Sequence, residues 1–166
     1  MTQLPLVIRP EAPGDAEAIE RLHERAFGPG RFARTAFRLR EGAPHLPELS
    51  FTVLVGTLLV GSVRLSPIWA GPEPALILGP LTIDPAFENR GIGAAVVTRA
   101  LEAAREAGHT LVLLVGDEPY YARFGFTKVP RGQLVMPGPV DPDRFLAAEL
   151  ADGALARARG PVRPRR

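Results

Sequence analysis

The stretch DPAFENRGIGAAVVTRALEAAREAGH, Asp84 to His109, decides the reading of this chain. Ile92, Val96, Val97, Ala100, Leu101 and Ala104 recur at helical spacing, which predicts an amphipathic helix with one buried face. Gly91 and Gly93 stand at its start, although glycine costs about 0.5–1 kcal/mol against alanine inside a helix. The N–H groups of a first helical turn point outward and carry partial positive charge. Removing Cβ atoms lets an anion come close to that backbone. Spacing alone leaves two readings open: an anion cradle after a strand, or a tight strand-to-helix turn that uses glycine. Two phosphate motifs are excluded. The dinucleotide fingerprint needs a third glycine where Val96 stands, and no Gly-Lys-Ser/Thr ending of a P-loop is present.

Outward from the helix, the chain reads as an α/β (α+β) fold. Before it lie strands expected at Leu6–Arg9, Ser50–Val55, Leu58–Leu65 and Ala75–Ile83. Gly56-Thr57 is a two-residue hairpin signal between the second and third of these. Pro80 cannot donate to a ladder, so a bulge or local loss of pairing is expected inside the fourth. Helices are expected after Asp15, a candidate N-cap, and over Arg31–Arg40. After the central helix, the unbroken apolar run LVLLV, Leu111–Val115, predicts a strand covered on both faces. A short helix over Pro119–Phe124 would end on Gly125. Two closing strands are expected at Phe126–Val129 and Gln133–Met136. Asp141-Pro142 is a capping pair for a last helix through Leu150. The order predicts a mostly antiparallel central sheet with one parallel pair and helices packed on it.

The 166 residues fit one domain, expected over 1–156. No apolar run reaches the roughly 20 residues that span a bilayer, and no signal peptide is visible at Met1–Pro10. Cysteine is absent, which removes disulfides and thiolate chemistry and fits a cytoplasmic protein. His23, His45 and His109 are scattered without ligand spacing, so no metal is expected. The formal charge is +2, but five arginines (157, 159, 163, 165 and 166) lie in the last ten residues. They leave 15 basic against 18 acidic groups in residues 1–156. Residues 157–166 are accordingly expected to be a solvated, flexible basic tail, and no nucleic-acid motif precedes them. A nucleic-acid binder acting through that tail is the outlying alternative, with salt dependence as its signature.

LGPLTIDPAFENRGIGAAVV resembles motif A of the GNAT acetyltransferases, Gln/Arg-x-x-Gly-x-Gly/Ala, and YYARFGF (Tyr120–Phe126) resembles that family's Tyr-x-x-x-Gly-Phe signature. VMPGPVDPDRFLAAEL is similar to the C-terminal part of the YhbS-like branch, and the resemblance covers residues 5 to 150 or so. It implies a GNAT-like sheet whose two parallel strands, ending near Ile83 and Val115, splay into a V that holds pantetheine. It implies acetyl-coenzyme A as cosubstrate, with backbone donors at Arg90, Gly91, Gly93 and Ala94 on the pyrophosphate. The wider cofactor-binding set is Leu81, Thr82, Ile83, Glu88, Asn89, Ile92, Gly116, Tyr121 and Phe124. The activity implied is N-acetylation of a primary amine, on a small molecule or a protein, by direct transfer in a ternary complex. No membrane or nucleic-acid partner is expected, and the protein would act as a monomer or homodimer. The alternative is a non-catalytic coenzyme A sensor or scaffold.

Glu88 departs from the pattern, standing where the family has Gln or Arg. A carboxylate about 6 Å from a pyrophosphate costs about 2–3 kcal/mol at an effective dielectric near 20, unless it points away or Arg90 neutralises it. The resemblance makes Tyr121 the acid that protonates the departing thiolate, with Tyr120 beside it a packed aromatic. The amine must lose a proton before attack: Asp84 and Glu48 are candidate bases, neither with a confirming partner, and a water chain or an acceptor that arrives deprotonated are the alternatives. Trp69 and Phe32 are candidates for an acceptor groove with core packing as the default. Arg31, Arg34 and Arg38 form either a solvated helix face or a selector for acidic acceptors.

Overall fold

Residues 5–27, 39, 41–42 and 44–166 are described by a computed structural model. The chain opens with strand β1 (Leu6–Pro10) and helix α1 (Ala16–Phe27). A meander follows: β2 (Phe51–Val55), β3 (Leu58–Ala70) and β4 (Glu73–Ile83), each antiparallel to the last. Helix α2 (Ile92–Glu106) leads back to β5 (Leu111–Val115), which lies parallel to β4. The remainder is α3 (Glu118–Tyr121), β6 (Thr127–Lys128), β7 (Leu134–Val135), β8 (Phe145–Glu149), α4 (Ala154–Arg157) and β9 (Gly160–Pro164). The sheet runs β1-β2-β3-β4-β5-β8-β6, with β9 on β3 and β7 on β9. It is the mixed, mostly antiparallel sheet expected, with β7–β9 as a second parallel pair.

Alternation divides the core between the two faces. Phe51, Val53, Val63, Leu65, Leu76 and Leu78 point one way and pack on Val96, Val97 and Ala100 of α2. Ile68, Ala75 and Ile77 point the other way, into a second cluster with Leu39, and Leu59 meets Ile19 and Leu22 of α1. β5 serves both, as its unbroken apolar run requires: Val112 and Leu114 lie in the first cluster, Leu111 and Leu113 in the second.

The parallel pairing of β4 with β5 covers only Leu76 with Val112 and Ile77 with Leu113. β4 then runs on to Ile83 along β3 alone, while β5 pairs β8 along its whole length. The strands therefore part, as expected. The register of β4 on β3 steps from Leu78–Leu65 to Leu81–Val63, so Gly79 and Pro80 together stand opposite Arg64. That is the bulge expected from a proline without an N–H to give.

Two expectations give way. Phe145–Glu149 is a strand, although Asp141-Pro142 and the Leu-Ala-Ala-Glu run favour a helix. The Asp141 side chain accepts from Asp143 N–H, and its carbonyl from Arg144 N–H, which closes a turn. Phe145 and Ala147 then enter one core cluster, Leu146 and Ala148 the other, and burial on two faces overrides propensity. The C-terminal residues are also ordered. β9 pairs Val162, Arg163 and Pro164 with Ala70, Trp69 and Ile68, and Val162 is buried. Arg165 donates to the carbonyls of Ile68 and Ala75 and lies over Trp69, and Arg157 pairs with Glu73. The tail finds partners because its arginines meet carbonyls and a carboxylate that composition does not reveal. The helix expected over Arg31–Arg40, with Phe32, Arg31, Arg34 and Arg38, falls outside the described residues save for Leu39. No described helix is long and apolar enough to cross a membrane.

The entry to α1 is fixed by Asp15, which receives both terminal nitrogens of Arg9 at 2.8 and 2.9 Å and the N–H of Ala12. The Arg9 hydrogen bonds hold its carboxyl below the usual value of 3.8. A carboxyl lowered in the folded state contributes stability above its unfolded value, and that contribution is lost as pH falls through the folded value. Asp15→Ala should therefore cost about 1–3 kcal/mol at neutral pH and flatten the loss of stability in acid. Urea melts at about pH 7 and pH 3.5 would reveal both effects.

Candidate active site

The glycines at the start of α2 have separate causes. Gly91 has φ +77°, a left-handed conformation, and is the N-cap, with no side chain among the described residues capping the helix. Asn89 is also left-handed, at φ +62°. Gly93 is needed for close approach instead: a Cβ there would stand 2.7 Å from the Tyr120 hydroxyl. A third glycine, Gly116, ends β5 under the Tyr121 ring, where a Cβ would meet Cε2 at 2.5 Å. The two tyrosines of α3 are thus seated against backbone from both sides of the split between β4 and β5.

A cleft of about 630 Å³ opens over this turn. Leu81 and Ile83 of β4 form its floor, and Gly91, Ile92, Gly93 and Ala94 line its end. Glu88 and Asn89 also line it, as do Phe87, Tyr120 and Arg123. The structure thus brings eight of the expected residues together in one cleft. Arg90 lies beside it with its guanidinium on the Phe87 ring, 5.3 Å from the centroid. Thr82, alternating with Leu81 and Ile83, is buried on the opposite face. Phe124 stacks beside both tyrosines, with ring centroids 5.8 and 6.2 Å away.

Tyr120, expected as packing, lines the cleft, while Tyr121 packs on the apolar core against Phe126. Burial, assisted by Asp117 and Tyr120, pushes the Tyr121 phenol up to about 12, so it keeps its proton at neutral pH. Arg123 carries the cleft's positive charge. It stacks 4.7 Å over Tyr120 and donates to its carbonyl, a pairing that the i, i+3 spacing on one helical turn would have flagged. Asp84 caps the turn at Pro85–Phe87 by accepting from Ala86 N–H, and Arg25 takes its other oxygen at 3.2 Å. It is not among the residues lining the cleft. Glu48 is exposed on the turn at Pro47–Leu49, and Trp69 lies under Arg165. Among the described residues no acid and histidine cluster has metal-ligand geometry.

A parted pair of parallel strands, a glycine turn with uncapped N–H groups and a phenol beside the gap define an acyltransferase architecture. Residues 16–126 match the acetyltransferase (GNAT) family, and the chain belongs to it. It is 31% identical to the uncharacterized N-acetyltransferase YhbS of Escherichia coli K12 over 159 residues, 95% of each chain. The crystal structure of Escherichia coli YhbS in complex with CoA superposes with a TM-score of 0.83 at 28% identity, covering 99% of this chain and 92% of that one. A GNAT family acetyltransferase from Brucella melitensis in complex with acetyl-CoA gives 0.63 at 28% identity, covering 87% of this chain and 96% of the other.

The contact between Gly93 and Tyr120 is open to a double-mutant cycle. Alanine at 93 gains helix propensity but displaces the hydroxyl, whereas in a Tyr120→Phe background the nearest remaining atoms are 3.8 and 3.9 Å away. Gly93→Ala should be about 1 kcal/mol more favourable in that background than in the wild type, read from denaturant midpoints.

Proposed function

We propose that the protein transfers the acetyl group of acetyl-coenzyme A to a primary amine by direct attack in a ternary complex. The observation that carries this reading is the uncapped Gly91–Ala94 turn opening on a cleft whose floor is the parted strand β4. A diphosphate fits there: among the described residues no side chain caps the N–H groups and no atom stands within 4 Å of a Cβ at Gly91, and Arg123 supplies a positive charge. The pantetheine arm then lies in the gap beyond Ile77 and Leu113, where its amides replace the missing ladder. Holding thioester and amine in one gap supplies the alignment that direct transfer needs.

Tyr121 serves as the acid. A phenol raised to about 12 stays protonated across the working range and has a proton to give the departing thiolate. Tyr120 has its hydroxyl over the first turn of α2, beside the phosphate site rather than the sulfur. Glu88 is exposed on the rim of the cleft, where water screens it and Arg123 offsets it. This reading makes it a bystander.

Coenzyme A thiol release across a panel of primary amines, paired with calorimetry of acetyl-coenzyme A binding, tests the proposal. Tyr121→Phe should lower turnover about 10²-fold and leave the dissociation constant within about twofold. Glu88→Gln should leave that constant unchanged or modestly lower, and a tenfold weakening would show Glu88 to be a ligand. Intact binding without thiol release from any amine would favour a non-catalytic coenzyme A-binding module.

A further inference from the structure

Arg123 is exposed on the rim of the cleft, yet its side chain is fastened. The guanidinium lies 4.7 Å over the Tyr120 ring, and Nε donates to the Tyr120 carbonyl at 2.9 Å. An exposed arginine ordinarily loses side-chain freedom when it grips an anion, which is why most surface ion pairs are weak. Here stacking and one hydrogen bond have already fixed the side chain, so its remaining donors are presented at little further entropic cost. Among the described residues the two terminal nitrogens have no hydrogen-bond or ion-pair partner. The charged residues lining the cleft are Arg123 and Glu88.

Tyr120 spans the distance between this guanidinium and the glycine turn. Its hydroxyl end meets α2, where a Cβ at Gly93 would stand 2.7 Å away. Its backbone end, the carbonyl, holds Nε of Arg123. Arg123 is thus rooted at the end of the tyrosine away from the turn. An anion on the N–H groups of Gly91–Ala94 sits at the tip of Tyr120, and an anion on Arg123 sits further out along the cleft. The lining therefore offers two anion positions, one of backbone donors and one of a guanidinium. Arg90, the other arginine near the turn, rests on the Phe87 ring and does not line the cleft.

Coenzyme A carries two separate anions, the diphosphate and the phosphomonoester on the ribose 3′ oxygen. We infer that Arg123, locked on Tyr120, binds the 3′-phosphate and makes the protein select coenzyme A over its dephospho form. The inference rests on the acetyltransferase reading, and it concerns which carrier the cleft accepts rather than the transfer step. The diphosphate stays on the glycine turn. A phosphomonoester is mostly a dianion at neutral pH, and it offers the free edge of a guanidinium two oxygens at the spacing of its N–H fork. The dephospho carrier has only a hydroxyl at that position, which leaves the fork to water. Tyr120 acts through Arg123 here, as the surface that orients it.

Calorimetry with coenzyme A and with dephospho-coenzyme A needs no acceptor and reads the selection directly. The wild type should bind coenzyme A about tenfold more tightly, and added salt should shrink that margin. Arg123→Met should weaken coenzyme A about tenfold and dephospho-coenzyme A less than about threefold, bringing the two near parity. Arg123→Lys should keep part of the margin, because an ammonium is a point charge without the fixed fork. Phosphorus-31 NMR of the bound cofactor gives an independent reading. In the wild type the 3′-phosphate should titrate below its free value of about 6, since a nearby cation favours the dianion, and Arg123→Met should return it toward that value. Equal affinity of the wild type for both carriers, an Arg123→Met variant that weakens both alike, a margin lost in Arg90→Met instead, or a 3′-phosphate titration unchanged on binding would overturn the inference. Failure of the wild type to bind either carrier would instead remove the acetyltransferase reading, and this inference with it.

Discussion

The architecture depends on a ladder of two residue pairs. Leu76 with Val112 and Ile77 with Leu113 hold β4 parallel to β5, and nothing extends that pairing. Each strand takes its support from the opposite edge, β4 from β3 and β5 from β8. The sheet can therefore open a slot in its middle without losing either strand. The bulge at Gly79–Pro80 keeps the slot open, because a proline there cannot restore the missing donor and the extra residue turns β4 away. A sheet that continued pairing would leave no route between its faces.

That slot separates two chemistries. On the α2 side the cleft offers backbone N–H groups, a cation and an apolar floor. On the other side are hydroxyls and a compensated ion cluster. Successive residues of β4 serve both, with Leu81 and Ile83 on one side and Thr82 on the other. The pleat of a strand is the reason that one segment can line an open cleft on one face and a buried polar layer on the other.

What could be read from sequence was what neighbouring residues encode. The glycine turn, the unbroken run of β5 and the proline bulge are each fixed within a few positions. β8 was misread because Leu, Ala and Glu favour helices in isolation, while the strand exists only through burial between β5 and β6. Tyr120 and Tyr121 are adjacent and chemically identical, so only Gly93 and Gly116 on opposite walls reveal which ring goes where. Glu11, just after β1, His45, in the segment before β2, and Arg64 of β3 meet only through the fold. No spacing rule joins positions so far apart, and none of the three belongs to the motifs that carry the family resemblance.

The C-terminal strand shows how far composition can mislead about charge. Five closing arginines suggest a surface for polyanions, yet Arg157, Arg165 and Arg166 spend their donors on Glu73 and on carbonyls of Ile68, Ala75 and Gly42. Their task is mechanical. β3 is the longest strand, and β2 borders only its first half, Leu58–Val63. β9 covers the exposed far end at Ile68–Ala70, and the Arg165 guanidinium ties β3 to β4 across their carbonyls. Between those two supports lies Arg64, opposite the bulge. Fastened at both ends, β3 holds the bulge and the Arg64–Glu11 contact in fixed relation, so the slot keeps its width while strands β4 and β5 remain apart.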